Sequence, residues 1–194
     1  VEGMDLRGVM TLRSLDDCNR LRDALDQAGK PAVVGASFIA MEAAAAMAKR
    51  DKPATVIAPD SVPLQRALGE RIGSMYRQVH EEKGATFRLG RRVKRFVGSG
   101  GRLSAIELDN GDTVEADLAV VGVGVRPVTD YATGLDLCDD GSVRVHERLQ
   151  AGDNVWAAGD IATFPDWRSG APTRIEHWRL AQQHGRLAAR NMLG

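Results

Sequence analysis

The stretch that most constrains this chain is Ala32-Val33-Val34-Gly35-Ala36-Ser37-Phe38-Ile39-Ala40-Met41-Glu42. Its apolar start reads as a buried strand, Gly35 as a tight turn, and the alanine-rich continuation as a helix. Gly35-x-Ser37-x-x-Ala40 has the spacing of the dinucleotide-binding fingerprint, with one of its three glycines kept. The first glycine permits the turn, the second lets backbone approach a pyrophosphate, and the third lets helix pack on strand. Ser37 and Ala40 are small substitutes that compromise the last two roles without abolishing them. Free N–H groups at the helix start would then face phosphates. The same residues also read as a strand-to-helix turn that binds nothing, and only the rest of the chain decides between the two.

Beyond Glu42 the chain completes a βαβ unit. The helix from Met41 to Arg50 is stopped by Asp51-Lys52-Pro53, and Ala54-Thr55-Val56-Ile57-Ala58 is a second buried strand. Upstream, Val1 to Leu15 shows no sustained period and reads as an entering connector. A helix then starts at Leu15, with Leu21 and Leu25 on one face, and ends near Gly29. Downstream, Pro59 to Leu64 is a loop, and Leu68 to Lys83 reads as an amphipathic helix burying Ile72, Met75 and Val79, with Gly84 as its C-cap. Ala85 to Leu89 is a third strand.

The apolar period then changes from helical to alternating. Val93–Val97, Leu103–Leu108 and Thr113–Ala116 read as a three-stranded antiparallel meander, with Asn110-Gly111 in its last turn read as a two-residue hairpin signal. The chain returns through the buried run Asp117 to Gly124, ending at Arg126-Pro127. Beyond it come a short strand at Gly141–Val145, a strand Val155–Ala158 ending in Gly159-Asp160, a loop from Phe164 to Pro172 and a final helix, Trp178 to Met192. The expected fold is α/β, Rossmann-like, with a parallel sheet and a meander crossover. Two domains are expected, residues 1–128 and 129–194.

Composition narrows the function. The 194 residues carry 26 basic and 26 acidic side chains, so nothing argues for nucleic acid. The densest basic cluster, Arg91-Arg92-Val93-Lys94-Arg95, reads as solvated strand surface. Cys18 and Cys138 form no Cys-x-x-Cys motif, His177 and His184 lack metal-ligand spacing, and no metal is proposed. This cysteine usage fits a reducing, cytoplasmic setting. No apolar run reaches spanning length, so no membrane partner is expected.

Taken in order, Val33–Glu42, the meander, Gly122-Val123-Gly124-Val125-Arg126-Pro127 and Val155-Trp156-Ala157-Ala158-Gly159-Asp160 resemble the FAD-dependent pyridine-nucleotide (disulfide) oxidoreductases. Leu68-Gly69-Glu70-Arg71, Thr163-Phe164-Pro165, Glu176-His177-Trp178 and Gly185 to Ala189 resemble the apoptosis-inducing-factor-like branch that carries a Rieske domain, a neighbour of the ferredoxin reductases. The resemblance covers an NAD(P)H-binding domain, residues 1–128, and a partial second domain, residues 129–194, matching the returning part of the FAD domain. It implies that the FAD domain's adenosine-binding half and a terminal interface domain belong to a longer parent, and that this piece alone is inactive.

The resemblance also implies roles. Gly35, Ser37, Phe38 and Ile39 would hold the NAD(P)H pyrophosphate. Phe38 would gate the nicotinamide, unless it is an ordinary core residue, and Glu42 would bind the carboxamide, unless it only complements the helix dipole. Ala58 replaces the acid that usually takes the adenosine ribose, and Arg66 could meet a 2′-phosphate. NADH is the family default, and the choice between NADH and NADPH stays open. Gly124 would be cofactor-binding, Gly159 and Asp160 would contact FAD, and Glu176, His177 and Trp178 would stand at the start of the last helix near the flavin. The implied partners are a nicotinamide nucleotide and an iron–sulfur protein or domain as electron acceptor, with a homodimer left open. A disulfide or oxygen reductase and a nucleotide-binding module without turnover are the alternatives.

Overall fold

A computed structural model describes residues 1–194, and the chain divides into two compact units, Val1–Gly124 and Val125–Gly194. The first unit is built on a five-stranded parallel sheet. Its elements run β1 (Val9–Thr11), α1 (Leu15–Gln27), β2 (Pro31–Val34), α2 (Phe38–Ala48), β3 (Thr55–Ala58), α3 (Gln65–Glu81), β4 (Thr86–Leu89), β5 (Val93–Ser99), β6 (Arg102–Leu108), β7 (Thr113–Glu115) and β8 (Leu118–Val121). The sheet order is β1-β8-β2-β3-β4, and β5-β6-β7 form a separate antiparallel meander.

Alternation along the strands explains the layering. Val33, Val56, Ala58, Leu118 and Val120 pack on α1 and α2, through Leu21, Leu25, Met41 and Met47. Their neighbours Ala32, Val34, Ile57 and Ala119 pack on the meander, through Phe96, Leu103, Ile106 and Leu108. Both sheet faces are therefore covered, as parallel strands require. The meander substitutes for a crossover helix between β4 and β8, and its own inward residues alternate with exposed ones along β6.

The structure corrects four expectations. The entering segment is not only a connector: Val9, Met10 and Thr11 pair in parallel with Ala119, Val120 and Val121 and form the sheet's edge. Three residues are too few for a period to show. The Asn110-Gly111 turn is not a two-residue hairpin: Gly111 alone takes positive φ, 88°, and its N–H donates to Leu108 O, the pattern of a three-residue loop with a glycine bulge.

In α3, which breaks at Gly69 (φ 76°, ψ 173°), Ile72, Met75 and Val79 are exposed, and Gly73 and His80 face inward instead. The reason is local. Gly73 lies so close to the Val62-Pro63 loop that an added Cβ would sit 2.4 Å from Pro63 O. Two turns further, His80 Nδ1 and Nε2 lie 2.9 Å from Tyr76 O and 3.2 Å from Met41 O.

The second unit contains β9 (Val143–Arg144), β10 (Gln150–Gly152), β11 (Val155–Trp156), β12 (Ala162–Pro165), β13 (Pro172–Thr173) and α4 (Trp178–Met192). Here the fourth correction falls. Residues 164 to 172 are not simply a loop, since Phe164 and Pro165 pair antiparallel with Thr173 and Pro172. A core of Val143, Val145, Leu149, Ala157, Ala162 and Ala188 holds this unit together.

Candidate functional site

The C-terminal ends of β2, β3 and β8 lie side by side, the edge at which open α/β sheets bind ligands. Gly35 succeeds β2 with φ 110°, and an added Cβ would sit 2.3 Å from Gly122 O, just past β8. This glycine therefore serves a close backbone approach as well as a turn. Ser37 is the N-cap of α2, yet it makes no capping bond. Its hydroxyl instead donates to Gly122 O at 3.1 Å. The first N–H groups of α2 are left without a side-chain partner, as a helix that receives an anion requires.

The third fingerprint position is resolved by a pair of residues. Ala40 is fully buried, and an added Cβ at Gly122 would lie 3.4 Å from it. That distance is ordinary van der Waals contact, so Ala40 is accommodated here, and what Gly122 supplies is the carbonyl that accepts from Ser37 and closes against Gly35. Sequence reading treated Gly122 only as part of a motif; the β2–β8 register is what assigns its role.

A cavity of about 640 Å³ opens at this edge, lined by Gly35, Ser37, Phe38 and Arg66 among the predicted residues. Phe38 is half exposed, so it is not an ordinary core residue. Ile39 and Glu42 lie on the exposed side of α2 outside the cavity wall, and Gly124 is exposed at the end of the unit with φ 121°. Asp60, Arg91 and Arg92 also line the cavity, so two arginines of the basic cluster read as solvated strand surface stand at the site. Ala58 does not line it: its methyl is in the core on the α2 side.

Gly159, Asp160, Glu176, His177 and Trp178 all belong to the second unit. Gly159 and Asp160 lie in a 3₁₀ turn, Gly159–Ile161, not at a strand end. Gly159 has φ 80°, an added Cβ would meet Ala181 Cβ at 3.1 Å, and its N–H donates to His184 Nδ1 at 3.3 Å. Arg174 joins this turn to the start of α4. It donates to Asp160 O at 3.2 Å, to Glu176 at 2.5 Å and to Asp140 at 2.8 Å. The Asp160 carboxylate itself is exposed and has no partner in the chain. His177 caps α4, accepting from Arg179 N–H at 3.1 Å, and Trp178 is exposed and stacks on His177. Nothing in the sequence singles out Arg174, and His184 stands out there only as a histidine without metal-ligand spacing; the roles of both come from contacts distant along the chain.

Comparison with known proteins agrees with this geometry. The family model described as pyridine nucleotide-disulphide oxidoreductase matches residues 1–185. The chain is 34% identical over 196 residues to apoptosis-inducing factor 3 of Homo sapiens, covering 99% of this chain and 32% of that protein. A ferredoxin reductase for the CYP199A2 system of Rhodopseudomonas palustris has a TM-score of 0.94 at 29% identity, covering 100% of this chain and 48% of that one. An FAD-dependent pyridine nucleotide-disulphide oxidoreductase of Desulfovibrio vulgaris gives 0.87 at 29% identity, covering 100% and 50%. The chain thus spans about a third of that curated relative and half of these solved neighbours. With the fingerprint turn, the parallel sheet and the meander in the family's order, the chain belongs to the pyridine nucleotide-disulphide oxidoreductase family and has its FAD/NAD(P)-binding α/β fold.

Proposed function

We propose that this chain is the NAD(P)H-binding domain and part of the FAD-binding domain of a flavoprotein oxidoreductase. The observation that carries the reading is the N-terminus of α2, left without a side-chain cap at the binding edge of a parallel sheet and opening on a cavity. When bound, the nicotinamide would supply a hydride and the flavin would accept it. The chain's own part is to bind and orient. Gly35 brings the backbone close, the N–H groups of Phe38 and Ile39 receive the pyrophosphate, and the half-exposed Phe38 ring stands beside them. In the second unit the unpaired Asp160 carboxylate can accept hydrogen bonds from flavin ribityl hydroxyls. Arg174 holds the turn carrying Asp160 and the segment Glu176-His177-Trp178 in fixed relation. The neighbouring ferredoxin reductase supports an iron–sulfur protein as the final acceptor.

The test is Ser37→Asp. Aspartate is a favoured N-cap, so the helix keeps or gains stability, while its carboxylate occupies the free N–H groups and repels a pyrophosphate. Calorimetric titration with NADH and NADPH should show affinity falling about tenfold or more, a charged hydrogen bond being worth about 1.5–3 kcal/mol. Unchanged binding in a folded variant would remove the helix terminus from the site.

A further inference from the structure

The cavity carries more positive charge than a pyrophosphate at the α2 terminus requires. Arg66, Arg91 and Arg92 line it, against one carboxylate, Asp60. Backbone bonds place them beside the end of β3. Arg91 N–H donates to Ala58 O at 3.1 Å, and Gly90 N–H donates to Asp60 O at 3.1 Å. These two bonds tie the β4–β5 connection to the chain leaving β3, so the arginines stand at the cavity by construction.

Their side chains are available. Arg91 and Arg92 form no ion pair, and the Arg91 guanidinium donates only to its neighbour's carbonyl, Gly90 O, at 3.2 Å. Arg66 Nε lies 3.5 Å from Asp60, longer than a hydrogen bond, and its side chain is 86% exposed. Three arginines thus line one cavity with a single carboxylate among them, Asp60, in a long 3.5 Å ion pair with Arg66, leaving Arg91 and Arg92 without an acidic partner. The strand end itself offers no carboxylate, because Ala58 stands there, 1% exposed.

In doubly wound nucleotide folds the adenosine ribose sits at this position. An acid there accepts from the 2′-hydroxyl, whereas arginine accommodates a 2′-phosphate. We propose that Arg66, Arg91 and Arg92 bind the 2′-phosphate of NADPH and that the protein selects NADPH over NADH. This rests on the nucleotide site proposed above and adds its specificity. Guanidinium–phosphate pairs are charge-assisted and often bidentate, so each arginine contributes discrimination and not only general attraction. Asp60 is the opposing element: as a lone acid it would favour the ribose hydroxyls of NADH.

Calorimetric titration with NADPH, NADH, 2′,5′-ADP and 5′-AMP tests the assignment. NADPH should bind about tenfold or more tightly than NADH, and 2′,5′-ADP should exceed 5′-AMP by a similar factor. Arg91→Gln and, separately, Arg66→Gln should lower NADPH affinity about tenfold while moving NADH far less. Arg66 lies on an exposed first turn, so its variant remains informative if Arg91→Gln does not fold. Raising salt should weaken NADPH binding more than NADH binding. NADH binding as tightly as NADPH, with Asp60→Asn weakening NADH, would overturn the proposal and assign the ribose to Asp60 while leaving the nucleotide site intact. Failure of both nucleotides to bind would overturn the site reading and this proposal together.

Discussion

Replacing Gly35 by alanine tests the turn on which the first unit depends. At φ 110° an L-residue is strained, at a cost of about 1–3 kcal/mol. The new methyl would also sit 2.3 Å from Gly122 O and 2.9 Å from Gly122 C, both backbone atoms. Neither chain can retreat freely. Gly35 N–H donates to Ile57 O at 2.8 Å, and Gly122 N–H donates to Val34 O at 2.8 Å, so separation strains bonds worth about 1 kcal/mol each. With overpacking at about 1–3 kcal/mol, the two terms total about 2–6 kcal/mol, a large fraction of the 5–15 kcal/mol typical of a folded protein. Urea denaturation monitored by far-UV circular dichroism measures it. Gly111→Ala is the control, because Gly111 has φ 88° with nothing within 4 Å of the added Cβ and so reports strain alone. Gly35→Ala should cost about 1–3 kcal/mol more than the control. Equal losses would refute the argument that Gly35 is needed for its approach to Gly122.

Single contacts give three further outcomes. Ala40→Gly, which restores a fingerprint glycine, should destabilise by about 1–2 kcal/mol in the same assay, since it removes a buried methyl from α2 and weakens the helix; a gain in stability would show that the Ala40 methyl crowds the sheet. Burial holds the His184 imidazole below its ordinary pKa of 6.5, so the unfolded chain binds the proton more readily, and stability should fall as pH drops from 6.5 toward the folded value. His184→Leu should abolish that slope in pH-dependent denaturation. Hydrogen bonds from Ser142, and then Arg174, lower the Asp140 carboxyl from 3.8 to about 2; its contribution is complete above pH 3.8 and lost as pH falls through about 2, and Asp140→Asn should flatten the acid limb over that window.

The parts of the fold that were legible are those where burial and period coincide. Ala32 to Val34 and Val56 to Ala58 are apolar on both faces because helices cover one side and the meander the other, and such runs show in the sequence. Alternation along Leu103 to Leu108 likewise betrays a strand with one buried face. Where a residue's fate depends on a partner far along the chain, the sequence is silent. Val9 to Thr11 becomes a strand only because β8 offers a free edge. The apolar spacing of Ile72, Met75 and Val79 indicates a helix, but the face it buries is chosen by Gly73 against Val62 and Pro63.

The candidate site divides along the same line. Gly35, Ser37 and Phe38 were readable because a strand, a turn and a helix start must succeed one another locally. The roles of Gly122, Arg91 and Arg92 are products of register. Pairing β2 with β8 sets Val34 opposite Val121, which carries the Gly122 carbonyl against Gly35, an approach that a side chain at position 35 would block. Pairing β3 with β4 sets Ala58 opposite Leu89, which carries Arg91, two residues on, to the cavity rim. A basic run beginning just after a parallel strand is therefore not generic surface. In such a sheet every strand's C-terminal end points to the same edge, so charges placed two or three residues past a strand end fall at the ligand side by topology. Applied to Arg91 and Arg92, that rule turns a stretch that reads as solvated into the part of the cavity wall that can tell two nucleotides apart.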